Sequence, residues 1–198
     1  VAAQDNFGNT VTGFTSNVTV AIAVNPGGGT LGGTKTVAAS AGVATFSTLS
    51  IDKSGTGYRL AATATGLAPD TSAAFSILAG TATRLAFTVQ PASVIAGAAI
   101  SPAVRVAAQD NLGNTVPGFG GTITMAIATN PSGGVLSGTI SVAAVSGVSV
   151  FSNLRIDQPG TGYTLHATAT GLTLATSNAF NVTLTAAPVT PATSLPNQ

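Results

Sequence analysis

The chain contains itself almost twice. "VAAQDNFGNTV" at positions 1–11 returns as "VAAQDNLGNTV" at 106–116, and the offset of 105 between the copies never changes afterwards. Positions 1–77 align on 106–182 without a gap, and roughly 48 of those 77 are identical. "NPGGGTLGGTKTVAASAGVATFSTLSID" (25–52) lies on "NPSGGVLSGTISVAAVSGVSVFSNLRID" (130–157), and "GTGYRLAATATGL" (55–67) on "GTGYTLHATATGL" (160–172). A period of this length is that of an ordinary domain, well beyond the roughly 20–45 residues of a solenoid repeat. Each copy must therefore bury its own core, and whatever one copy folds into the other must fold into as well.

Within each copy the hydrophobic period is two. "NVTVAIAV" sets Val18, Val20, Ile22 and Val24 on one face against Thr19, Ala21 and Ala23. "GYTLHATAT" sets Tyr163, Leu165, Ala167 and Ala169 against Thr164, His166, Thr168 and Thr170. Alternation of this kind predicts strands with one buried face. Between them lie "DNFGNT", "NPGGGTLGG" and "DKSGTG", segments of Asn, Asp, Gly and Pro that supply positive φ and side-chain-to-backbone bonds. No window sustains a helical period. In the fuller copy strands are expected near 84–91, 103–110, 122–129, 138–145, 148–156, 162–170 and 176–184. Short strands at this density, with a turn every 8–12 residues or so, predict an all-β fold of tandem immunoglobulin-like sandwiches.

"IDxxGTGY" occurs in both copies, where the fifth strand turns into the sixth. Sandwiches of this class place a tyrosine there whose hydroxyl bonds back to the corner backbone. Asp52 with Tyr58, and Asp157 with Tyr163, are accordingly read as structural corners rather than ligand contacts. "RLAFTVQP", "AVRVAAQDNLGNTV", "GVSVFSNLRID", "GTGYTLHATATGL" and "TSNAFNV" together resemble the bacterial Ig-like domains, similar to the tandem modules of invasin- and intimin-type surface proteins. The resemblance implies an extracellular or cell-surface location, and a rod-like spacer or adhesive array whose partners are further Ig-like domains, head to tail, or copies of itself.

Composition removes several classes of function. Six Lys and Arg against five Asp leave a net charge of +1, and charged residues make up 6% of the chain, against about 25% in ordinary domains. Nucleic-acid binding needs clustered cations, which are absent. Without cysteine there is no disulfide framework and no thiolate metal site. The apolar stretch over 92–108 is interrupted by Pro102 and Arg105, so no membrane span is expected. Glutamate is also absent, and four of the five aspartates form two repeat-matched pairs, Asp5/Asp110 and Asp52/Asp157. Acid–base catalysis needs two carboxyl groups close together, and nothing in the spacing brings two of these aspartates close to one another. The single histidine, His166, has Ala61 as its counterpart in the other copy, so any site it made could not be shared. No catalytic residue and no cofactor is therefore expected. Asp5 and Asp110, with their neighbouring asparagines, are weak candidates for oxygen ligands to a metal, and an Asx turn is the simpler reading of both loops. "NPGGG" and "NPSGG" have no lysine after them and open no helix, so they are loop connections rather than phosphate cradles.

The copies are unequal at their start. The second is preceded by "RLAFTVQP", an expected edge strand, and the first has no counterpart of it. We therefore expect an incomplete Ig-like domain over 1–78, a complete one over 79–185, and a Pro-rich tail or linker over 186–198. An open edge and an apolar groove attract strands. The expected function is a non-enzymatic structural repeat module, a stalk or a filament-forming subunit, with strand exchange between chains as one means of assembly. The alternative is a carbohydrate- or cell-binding adhesin module that holds a surface polysaccharide.

Overall fold

The computed structural model describes residues 1–184. The tail expected over 186–198 lies outside the described residues. Every regular element described is a strand, and none is a helix that could cross a membrane. The chain divides into two compact units, Val1–Thr81 with Asp110–Asn114, and Ala82–Gln109 with Thr115 onward. The protein is all-β, a tandem of immunoglobulin-like sandwiches, and among the described residues no strand stands to the first unit as Arg84–Val89 stands to the second.

The first unit carries β1 (Asn17–Val24), β2 (Leu31–Gly32), β3 (Thr36–Ala38), β4 (Ser50–Ile51), β5 (Gly55–Ala64), β6 (Asp70–Thr71) and β7 (Phe75–Ile77). Its main sheet runs β3-β1-β5-β6, with β7 pairing the other stretch of β5, and β2 pairs β4. The alternation of β1 is realised at Val18 and Val20, which are buried, but not at Val24, which is 45% exposed. The reason is a register shift between Ile22 and Val24, which takes the end of the strand off the buried face. A matching shift lies between Ile127 and Thr129 in the second unit.

The second unit carries β8 (Arg84–Val89), β9 (Val94–Ile95), β10 (Val104–Gln109), β11 (Thr122–Thr129), β12 (Leu136–Ser137), β13 (Ser141–Ala143), β14 (Val148–Phe151), β15 (Arg155–Ile156), β16 (Gly160–Thr168), β17 (Ala175–Thr176) and β18 (Phe180–Thr183). One sheet is β14-β10-β8; the other runs β13-β11-β16-β18-β9, with β17 beside β16, and β12 pairs β15 apart from both. Three expected strands are broken here. The span 138–145 keeps only β13, because Gly138 turns at φ 99 and Thr139 N–H donates to the Asn153 side chain. The span 148–156 is split because the Leu154 carbonyl takes Ile100 N–H between β14 and β15. The span 176–184 is split at Ser177, whose hydroxyl accepts from Leu165 N–H and donates to the Asn178 carbonyl.

Between the two sheets of the second unit lies a continuous core that includes Leu85, Val104, Val106, Ile123, Met125, Phe151, Tyr163 and Leu165. The first unit buries only Val18, Ala39 and Ala44 as a cluster, with Phe14, Val37, Phe46, Ala62 and Ala64 half-covered around it.

Candidate functional site

The polar residues singled out in the sequence gather in two kinds of place, a corner and an Asx loop, and each kind is built twice. At the corner of the first unit, Asn25 folds the loop after β1 onto itself. Its amide donates to the Gly29 carbonyl and its carbonyl accepts Gly29 N–H, each at 2.8 Å. Asn130 and Gly134 repeat the pair at 2.9 and 2.8 Å. The next residue then donates its N–H to an aspartate from the facing segment: Thr30 to Asp52 at 2.6 Å, and Val135 to Asp157 at 2.7 Å. Each aspartate thus ties the facing loop to the corner, rather than capping its own turn.

The tyrosines complete the arrangement. The Tyr58 hydroxyl donates to the Lys53 carbonyl at 2.9 Å, and the Tyr163 hydroxyl to the Gln158 carbonyl at 3.0 Å. Both rings are fully buried, and each lies about 6 Å from a phenylalanine, Phe75 or Phe180. A glycine faces each hydroxyl for lack of room. A Cβ on Gly134 would sit 2.7 Å from the Tyr163 hydroxyl and 2.9 Å from Ile156. No described buried side-chain N or O lacks a partner.

The Asx loops are equally self-contained. Asp5 accepts Phe7 N–H and Asn9 N–H on one oxygen and the Asn9 side-chain amide on the other. Asp110 accepts the same three donors from Leu112 and Asn114, and Gly80 N–H besides. The Asn9 side-chain bond, ahead of its backbone partners, holds the Asp5 carboxyl below the ordinary carboxylate range. For Asp110, burial pushes upward, but the Asn114 amide, Gly80 N–H and the two loop N–H groups outweigh it and hold the carboxyl at about 2. Donors already aimed at both oxygens leave a poor ligand set for a cation. Among the described residues, no three His, Asp or other metal-ligating side chains lie together.

The Asp110–Asn114 loop groups with the first unit, and there it meets the first corner. Asn114 donates to the Asp52 carbonyl at 3.1 Å and accepts Ser54 N–H at 3.0 Å, while Lys53 Nζ reaches the Leu112 carbonyl at 2.8 Å. The corresponding positions of the second corner are Gln158, which has no ammonium, and Pro159, which has no backbone N–H. His166 stands half-buried with Nδ1 3.1 Å from the Thr176 hydroxyl.

Sequence reading passed over two features. Asn25 and Asn130 lock the corner loops, and the recurrence of Asn-Pro-x-Gly-Gly at the offset of 105 was the available signal. Phe7 stands 90% exposed at the tip of the first Asx loop, with Leu112 57% exposed at the same place in the other. An apolar residue at the third position of both Asp-Asn-x-Gly-Asn loops was its only trace.

No protein-family model matches this chain, and no curated protein sequence matches it. Among solved structures, it is similar to a β-glycosidase from Bacteroides vulgatus, at TM-score 0.45 and 16% identity over 85% of this chain and 21% of that one. It is also similar to domains 4–9 of the surface layer protein SbsC, at TM-score 0.38 and 16% identity over 96% of this chain and 25% of that one. Domains 5–6 of SbsC align at TM-score 0.34 and 20% identity, over 92% of this chain and 88% of that one. The chain spans about a fifth of the length of the glycosidase. None of these proteins contributes a site residue to this one.

Proposed function

We propose that this chain is a non-enzymatic structural repeat module of a bacterial extracellular or cell-surface protein, working in a stalk or a filament. The observation that supports this reading is the reconstruction of one set of closed devices at an offset of 105: the locked Asn loop, the Asp tie and the tyrosine clamp. A module that bears load needs its corners closed by internal bonds. An enzyme or a lectin needs polar groups left over and converging on a common point. Here the carboxylates, amides and phenols that would serve such a site already bond within the fold. The exposed ring of Phe7 stands alone and provides no stacking platform for a sugar.

The test pairs binding with mechanics. The purified chain is passed over immobilised bacterial polysaccharides and assayed for glycoside hydrolysis, and single molecules are stretched by force spectroscopy. The expected results are no retention, no turnover, and separate unfolding events for the two units. Saturable retention of one polysaccharide would transfer the reading to the adhesin alternative. Turnover would overturn both.

A further inference from the structure

The first unit carries an open apolar groove of ≈ 560 Å³, floored by Val18, Val20, Phe46, Leu60 and Ala62 and edged by residues 1–4 and Ala68. The second unit shows what belongs on this floor, because it contains the same positions 105 residues later, all of them apolar. There Ile123, Met125, Phe151, Leu165 and Ala167 are at most 1% exposed, packed in one core with Leu85 of β8 and with Phe87 against it. β8 pairs antiparallel with β10, setting Phe87 against Val106, Ala86 against Ala107 and Leu85 against Ala108. On its other side Leu85 N–H bonds the Thr173 carbonyl, and Thr173 N–H bonds the Thr83 carbonyl, both at 2.9 Å. The counterparts of Val106, Ala107, Ala108 and Thr173 are Val1, Ala2, Ala3 and Ala68. Ala107 has a strand on both sides, Val148 on one and Ala86 on the other. Ala2 bridges Val43 on one side, and no described strand lies on the other.

We propose that this groove is a strand acceptor, and that its occupant is a polypeptide segment of β8's own chemistry. That chemistry is an extended, nearly uncharged stretch with leucine, phenylalanine and valine at alternate positions. The occupant lies antiparallel to residues 1–4, its leucine opposite Ala3 and its phenylalanine opposite Val1, with backbone bonds to Ala2 and Ala68. Main-chain pairing supplies the affinity and the alternate apolar side chains the specificity. The β8 of a second copy is a poor donor, since Leu85 is already buried in its own unit. The proposal rests on reading the first unit as a structural repeat, and it specifies how that repeat is completed.

The probe is a synthetic peptide, TRLAFTVQP (83–91), added to the intact chain and followed by NMR and amide hydrogen exchange. Its control is the same peptide with L85D. One-to-one binding is expected, with exchange slowed at Ala2 and Ala68, no change at Ala107, and a raised midpoint for the first unit's unfolding. Losing the buried leucine should weaken binding by on the order of ten- to a hundredfold. No binding at millimolar peptide, or equal binding of the control, overturns the proposal. So does concentration-dependent self-association that protects the same amides without peptide, because the occupant would then be a second copy. None of these outcomes depends on the polysaccharide and turnover assays, so the two readings fail separately.

Discussion

Phe46 and Phe151 occupy one position of one repeat, in segments of similar sequence, yet Phe151 is wholly buried at the end of β14 and Phe46, outside any strand, is half-exposed. The same contrast holds for Leu60 against Leu165 and for Ala62 against Ala167. It does not hold at the corner, where Tyr58 and Tyr163 are both at 0% exposure and donate to equivalent carbonyls. Two regions with the same residues thus differ where β8 lies and agree where it does not. The difference belongs to the segment that brings β8, β9 and Ile100 against the second unit's core, and it separates two sources of order. Corners are closed locally by hydrogen bonds, whereas the face between the sheets is closed only by a covering strand.

Truncating the two phenylalanines gives the largest expected contrast. Phe151→Ala removes a ring from a closed core and should cost about 3–5 kcal/mol, whereas Phe46→Ala removes one that is already half-solvated and should cost less than half of that. Chemical denaturation with probes in each unit reads the two numbers. Equal costs would show that the groove over Phe46 is closed in solution, and the comparison between the units would collapse.

Tyr58→Phe and Tyr163→Phe test the other half of the comparison. Each leaves a corner carbonyl without its donor, at a cost of about 1–2 kcal/mol, and the two costs should agree within experimental error. A clear excess in the second unit would mean that the corner draws on β8 after all. Agreement would establish the corner as an independent device.

The corner was legible because its residues recur with fixed chemistry. "IDxxGTGY" names the tyrosine, the aspartate and the turn together, and repetition at the offset of 105 removes chance as an explanation. The alternating segments likewise gave β1, β8, β10, β11 and β16 nearly to the residue, since burial on one face imposes period two. What sequence could not show was where a strand changes partner. The breaks at Gly138, Leu154 and Ser177 depend on bonds to Asn153, Ile100 and Leu165, each supplied by a distant segment. The destination of the Asp52 carboxylate was hidden for the same reason, because its partner Thr30 lies 22 residues away.

The Asx loops offer a subtler contrast, one of titration. Asp5 is exposed and Asp110 is 5% exposed, yet the carboxyls of both are depressed, that of Asp110 to about 2. A carboxyl held below its unfolded pKa stabilises the fold above that value. The contribution is lost as pH falls through the folded one. For Asp110 the window therefore runs from pH 3.8 down to about 2. Carboxyl carbon NMR titration should place Asp110 near 2 with Asp5 also depressed, and Asp110→Asn should flatten the acid limb of the stability curve across that window. A normal titration of Asp110 would mean that its four donors do not hold in solution.

The smallest effect is expected at His166, where the repeat has already made the substitution. Its counterpart is Ala61, on the same strand position and beside Thr71 as His166 is beside Thr176. The first unit forms this pairing without an imidazole, so the ring's hydrogen bond to the Thr176 hydroxyl is an addition to the sheet rather than a condition of it. His166→Ala should then change the second unit's stability by no more than about 0.5 kcal/mol, the range of surface substitutions away from special features. Thermal unfolding of the variant at pH 5 and pH 8 measures it. A larger loss, or one that appears at only one of the two pH values, would make His166 a working group that the first repeat lacks. The two units would then differ in chemistry as well as in cover.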